Sequence, residues 1–405
     1  MIVTPELVAT TRRRTRAVLV SGQILAGLGM GSTLSVGALL AASLSGSPAF
    51  SGMAATMSTL GAAAAAIPLA AFAARSGRSP ALATGALGAA LGALLCIVAA
   101  IVEVFPLLLV GLALIGVGTA VNLQSRFAAT DLSLPQSRGR DLSIVVWATT
   151  IGAVSGPNLI APGDELGAAL GLPPLSGAFL FTIVAQSLAA IIYLVGLRPD
   201  PLAIAAELGR TAAVVPGAVV ATGDPVGVRV GMVSISLSHA TMVAVMAMTP
   251  VHLTDHGATL AIVGFTISLH IGGMYALAPV FGILSDRLGR VPTILIGQGL
   301  LAASLTMTSL GAEQEGWVMA GLIFLGLGWS ASTVAGSALI AASANPETRT
   351  RTQGRADLLM SGSGAVGGAL AGIVLAALGY AGLSAVAFVL VAVVVGTLLF
   401  TRPRA

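Results

Sequence analysis

Lysine is missing altogether: all 19 basic residues of the 405-residue chain are arginine. Charge of either sign is scarce, with Asp, Glu, Lys and Arg together making up 8% of residues, about a third of the 25% or so found in soluble domains. So few ionised groups cannot build a water-facing surface around a core this large. That excludes a soluble enzyme, a nucleic-acid-binding protein and a disordered chain. Cysteine occurs once, as Cys96, which excludes an intrachain disulfide and Cys-type zinc or iron–sulfur sites. No nucleophile–base pair, carboxylate pair or phosphate-binding loop stands out, so no enzyme and no resident cofactor are expected.

Apolar residues make up 56% of the chain, and its mean hydropathy is +0.99. The expected fold class is an all-α polytopic membrane protein. Runs of about 20 apolar residues are long enough to span a bilayer as helices. Twelve are read, at 17–42, 51–74, 81–102, 106–127, 142–161, 176–197, 228–251, 258–284, 291–311, 316–343, 356–379 and 382–401. Run 1 follows a basic segment without a cleavage site and is read as an uncleaved helix. With the N-terminus inside, every arginine falls on the cytoplasmic side, while the outer loops hold Glu103, Asp164, Glu165, Asp255, Glu313 and Glu315. This is the positive-inside pattern, and it puts both termini in the cytoplasm.

The longest polar connection, 199–227, contains four prolines and room for a short surface helix at 202–209. It divides the chain into an N-terminal six-helix bundle (1–198), a cytoplasmic linker (199–227) and a C-terminal six-helix bundle (228–405). An internal repeat relates the halves. The segment Gly282-Ile283-Leu284-Ser285-Asp286-Arg287-Leu288-Gly289-Arg290 has a counterpart 212 residues earlier, ending Ala74-Arg75-Ser76-Gly77-Arg78. The same offset maps Gly152 and Gly156 onto Gly364 and Gly368.

The segment from Gly282 to Arg290 resembles the loop signature of the major facilitator superfamily, and the twelve runs in two pseudo-symmetric halves match that family along the whole chain. The resemblance implies a secondary transporter in a bacterial cytoplasmic (inner) membrane, a monomer whose partners are the lipid bilayer and a small-molecule or metal-ion substrate, with no nucleic acid. It also implies a cytoplasmic gate built from Gly282, Asp286, Arg287, Gly289 and Arg290 with Arg75, Gly77 and Arg78. Asp286 is placed to meet the positive end of a helix. The first copy has Ala74 where the signature has Asp, so its brace is expected to be weaker. Gly152, Gly156 and Pro157 resemble an antiporter-associated motif, and they are read first as a helix-packing motif.

No acid lies near the middle of a run. Arg126 and Asp131, at the end of run 4, are expected to pair with each other. The deep polar content is histidine and methionine. His239, Met242 and Met246 share one face of run 7, and His270 and Met274 share a face of run 8. Thioether and imidazole are neutral ligands that suit copper, whereas methionine also fills irregular gaps in packing. The M-x-x-x-M and H-x-x-x-M motifs on adjacent helices resemble the CcoA-type copper importers. That resemblance implies Met242, Met246, His270 and Met274, joined by His239, as metal ligands, with His252 and His256 as outer capture residues. The same branch includes riboflavin-type transporters. A riboflavin-like importer or drug exporter is therefore the alternative, lined by Trp147, Trp329, Tyr275, Asn122, Gln124 and Asn158.

Overall fold

A computed structural model of the chain describes residues 4–46, 50, 53–155, 159–213, 223–258 and 260–401. Among these the long elements are all helical: α1 (Pro5–Ser45), α2 (Met53–Ser76), α3 (Arg78–Ile101), α4 (Phe105–Ala128), α5 (Arg138–Ser155), α6 (Ile160–Ala169), α7 (Ala178–Gly196), α8 (Pro201–Ala213), α9 (Pro225–Asp255), α10 (Leu260–Tyr275), α11 (Ala278–Arg287), α12 (Arg290–Leu310), α13 (Glu315–Ser343) and α14 (Arg349–Phe400). Nine helical stretches among the described residues are long and apolar enough to cross a membrane. Gly156 and Pro157 of the packing motif, Asn158, Arg402 and Arg404 lie outside the described residues.

Helix boundaries follow local chemistry. Pro5 opens α1, where its missing N–H costs nothing, and Thr4 Oγ1 accepts from the Leu7 N–H at 3.2 Å. Run 8 divides into α10 and α11 just before Pro279, whose ring suits the first turn of a new helix. Runs 11 and 12 join as α14, which kinks at Gly379 (φ 68°). The surface helix expected at 202–209 extends over α8. Asp200 precedes it and caps two helices at once. One carboxylate oxygen accepts from the Leu202 N–H (3.0 Å) and the other from the Ser79 N–H at the start of α3 (2.8 Å).

The chain forms two compact units. Unit 1 comprises Met1–Ser133, Ala148–Ala221 and Pro346–Leu358; unit 2 comprises Leu134–Trp147, Thr222–Asn345 and Leu359–Ala405. The helices α5 and α14 each contribute residues to both units. In unit 1, Val36, Leu40, Cys96, Leu108, Leu112 and Phe179 form one apolar core. There α3 and α4 meet through glycine: a Cβ at Gly92 would stand 2.6 Å from the Gly111 carbonyl oxygen. In unit 2, α13 is buried along most of its length. Its Ala335 and Leu339 form an apolar core with Val230, Ile294, Val394 and Leu398.

The repeat is visible in the backbone. Gly77 and Gly289, 212 positions apart, take nearly the same conformation (φ 96°, ψ 171° and φ 99°, ψ 160°), and each opens a helix, α3 and α12. Only glycine populates that region readily.

We expect Gly289→Ala to lower stability by about 1–3 kcal/mol through backbone strain. Gly77→Ala is expected to cost more, because its Cβ would lie 2.7 Å from Asp200 Cγ and disturb the carboxylate that caps α3. Thermal unfolding in detergent at one scan rate checks the order.

Candidate functional site

Unit 2 holds the histidine and methionine faces. On α9, Met242 is buried, while His239 and Met246 are half-buried. Trp329 of α13 donates its indole Nε1–H to His239 Nδ1 at 3.0 Å. The neutral imidazole therefore carries its proton on Nε2, and that edge lies against Gly364 of α14. Trp329 also meets Tyr275 of α10 edge-on, with ring centroids 5.7 Å apart and planes at 82°. Three helices thus bring three rings together, with a buried indole at the centre.

On α10, His270 is fully buried and donates Nδ1–H to the Leu322 carbonyl at 2.8 Å, so Nε2 keeps its lone pair and has no partner. Met274, one turn on, is buried where α10 presses on Gly326 of α13. The expected ligands do not share one anchor. His239 is held at Trp329 and His270 at Leu322, seven residues and roughly 10 Å of helix rise apart. A metal–nitrogen bond is about 2 Å long. Among the described residues no group of three or more His, Cys, Asp or Glu is placed to hold a metal ion.

His252 lies inside α9 rather than in the expected loop, and His256 follows the helix end. His252 donates Nε2–H to the Ala312 carbonyl (2.6 Å) and stacks on Tyr380, with centroids 4.2 Å apart and planes at 9°. His256 donates Nδ1–H to the His252 carbonyl (2.8 Å), and the two imidazoles stand 4.2 Å apart.

The signature loop has a defined geometry within unit 2. Both carboxylate oxygens of Asp286 accept backbone N–H bonds in the first turn of α5, from Gly139 (2.8 Å) and Arg140 (2.9 Å), where the helix dipole favours negative charge. Gly282 sits against Gly139 and Ser143. Arg287 is exposed, and Arg290 reaches the Pro135 carbonyl at 3.5 Å. The counterpart contact in unit 1 exchanges its glycine: Ala70, equivalent to Gly282, meets Gly354 of α14. Arg75 and Ala74 are exposed there. Gly152, the described residue of the packing motif, lies against the backbone of Ile24 and Gly27 in α1, 2.5–2.6 Å from its would-be Cβ.

Unit 1 corrects the expected Arg126–Asp131 pair. Arg78 binds Asp131 through both Nε (2.8 Å) and Nη2 (3.1 Å), and Nη2 also donates to Gln353 Oε1 at 2.7 Å. Arg126 instead binds Asp357 of α14 at 2.7 Å. All four ionised groups are buried. Sequence reasoning missed Asp357 and Gln353, although a carboxylate in the opening residues of run 11 is the kind of signal that marks function in a membrane. It also missed Gln298, whose Nε2 donates to Ser238 Oγ and Ser332 Oγ (2.8 and 2.9 Å). Of the alternative lining residues, Asn122 and Gln124 belong to unit 1 and Trp147, Trp329 and Tyr275 to unit 2.

The family model of the Major Facilitator Superfamily matches residues 19–228 and 230–405. The uncharacterized MFS-type transporter YdeG of Bacillus subtilis (strain 168) is 38% identical over 410 residues, covering 100% of this chain and 95% of that protein. The riboflavin transporter RfnT of Brucella anthropi is 28% identical over 405 residues, covering 98% of each. The human organic anion transporter MFSD10 (TETRAN) has a similar structure, with a TM-score of 0.78 at 17% identity over 96% of this chain and 99% of that one. Identity that low speaks for the fold alone.

Removing one partner of a buried ion pair costs about 3–5 kcal/mol, whereas removing both is far milder. Arg126→Gln is therefore expected to destabilise strongly, and Arg126→Gln with Asp357→Asn to recover most of the loss. Unfolding midpoints of the two variants beside wild type check this.

Proposed function

Because the chain belongs to the Major Facilitator Superfamily, we propose that it is a secondary transporter working by alternating access, and that it moves a small planar organic molecule of the riboflavin class across a bacterial cytoplasmic membrane. The observation that carries this reading is the ring cluster of His239, Trp329 and Tyr275. Aromatic faces and edges suit a flat heterocycle, and each stacked pair contributes about 0.5–1.5 kcal/mol beyond area burial. Ser330 and Thr333, on the same helix as Trp329, have buried hydroxyls without partners, which suits a ligand rich in hydrogen-bonding groups. The full-length similarity to a riboflavin transporter supports the same substrate class. In this reading the protein acts as a monomer with both termini in the cytoplasm, as its arginine placement implies.

Copper import of the CcoA type is the second reading, and one observation favours it. His270 has its Nδ1–H fixed on a backbone carbonyl and its Nε2 lone pair unpartnered, the arrangement that second-shell bonding gives metal-ligating histidines. It ranks second because Trp329 takes the Nδ1 lone pair of His239 and the two imidazoles have separate anchors.

Uptake of radiolabelled riboflavin into proteoliposomes separates the readings. Trp329→Ala is expected to weaken apparent affinity about tenfold, equivalent to about 1.4 kcal/mol, with Trp329→Phe intermediate. Equal affinity in all three proteins would remove the aromatic site. Radiocopper accumulation that is the same in wild type, Met246→Ala and His270→Ala would remove the copper reading.

A further inference from the structure

The buried cluster of unit 1 contains two cations and two anions, yet its two carboxylates are held unequally. Arg78 engages both oxygens of Asp131. Arg126 engages only Oδ1 of Asp357, leaving Oδ2 buried and without a partner. One turn away on the same helix face, Gln353 gives its Oε1 to Arg78 and has a buried Nε2 without a partner. An empty acceptor and an empty donor thus sit side by side, one helical turn apart, inside a segment where an ionised group is expensive.

We propose that Asp357 is the proton-binding residue of this transporter, taking up a proton at Oδ2 and so releasing the first turns of α14 from Arg126. The proposal rests on the transporter reading above and names its coupling ion. One O–H bond forms at Oδ2. The proton comes from the more acidic aqueous phase and leaves to the other. With it bound, the cluster passes from two cations and two anions to two cations and one anion, and the attraction holding α14 to α4 falls.

The groups around Asp357 fit this role. From α4 comes Arg126, and from α3 comes Arg78, whose field also acts on Asp357. Asp131, beyond the end of α4, neutralises Arg78, and Asp200 adds a second negative charge near it. From α2 come Ala66, Ile67 and Ala70, which meet Gly354 and carry no charge. On α14 itself, Arg351 and Arg355 are exposed. The local consequence is mechanical. Residues 346–358 are the part of the last third of the chain that belongs to unit 1, and Arg126–Asp357 is an ion pair that ties them to α4.

The test needs no substrate in its first arm. Infrared difference spectra of the full-length protein in liposomes, acidic against alkaline buffer, are expected to show a protonated-carboxyl band in wild type. That band should be missing in Asp357→Asn and in the Arg126→Gln/Asp357→Asn double variant, which keeps the measurement open if the single variant does not fold. The same band in all three proteins, or none in wild type, overturns the proposal. The second arm uses riboflavin as probe. Asp357→Asn is expected to reduce proton-gradient-driven accumulation about tenfold more than riboflavin–riboflavin exchange, within the range of coupling free energies. Equal effects on both overturn the proposal. Wild type that moves no riboflavin under any gradient sinks the substrate reading, while the infrared arm still decides the proton site.

Discussion

A guanidinium or carboxylate taken out of water loses solvation worth several kcal/mol even after the protein relaxes around it, and within hydrocarbon no solvent is at hand to make up the loss. Most of the architecture described here answers that constraint. The chain carries few charges, and those it buries are committed to partners. Asp200 and Asp286 spend their oxygens on backbone N–H groups at helix starts, Asp131 spends both of its own on Arg78, and Asp357 gives one oxygen to Arg126. Much of the remaining buried polarity consists of amides, hydroxyls and imidazoles, among them Gln298, Thr249 and His270, that bond to hydroxyls or carbonyls.

The two halves of the repeat meet the constraint differently. In unit 2 a loop carboxylate closes the N-terminus of α5, so charge meets dipole. In unit 1 the equivalent loop position is Ala74, and two arginine–carboxylate pairs do the bracing instead. The close approach differs as well: Gly282 of α11 meets Gly139 and Ser143 of α5, whereas Ala70 of α2 meets Gly354 of α14. A duplicated backbone, recorded in the matching torsions of Gly77 and Gly289, has therefore kept its geometry while redistributing its chemistry.

How much was legible in the sequence depended on the range over which each signal acts. Hydrophobic runs mark helices locally, and the nonapeptide around Asp286 marks the loop. Helix breaks were harder: although the kink at Gly379 falls at the expected end of run 11, Pro279 interrupts a run that is continuously apolar, so composition alone gives no edge. The pairing of Arg126 was misread for the same reason. Asp131 stands five residues away and looks like its partner, yet α4 ends at Ala128 and the following turns carry Asp131 to Arg78. The true partner lies 231 positions later. The soft face of His239, Met242 and Met246 could be read from spacing. That an indole 90 positions away occupies the Nδ1 lone pair could not.

The dependence of unit 1 on residues 346–358 has a consequence for how the protein is made. Arg78 and Arg126 enter the membrane early in synthesis, but Gln353 and Asp357 emerge 275 and 231 positions later. Throughout translation of the second half, Arg126 waits without its carboxylate, and the first bundle holds an unfinished polar seam. Completion of the N-terminal unit is thus a post-insertional event, triggered when the penultimate stretch of chain leaves the ribosome. A nascent chain truncated before that point would keep the Arg78–Asp131 pair but leave Arg126 without the carboxylate of Asp357.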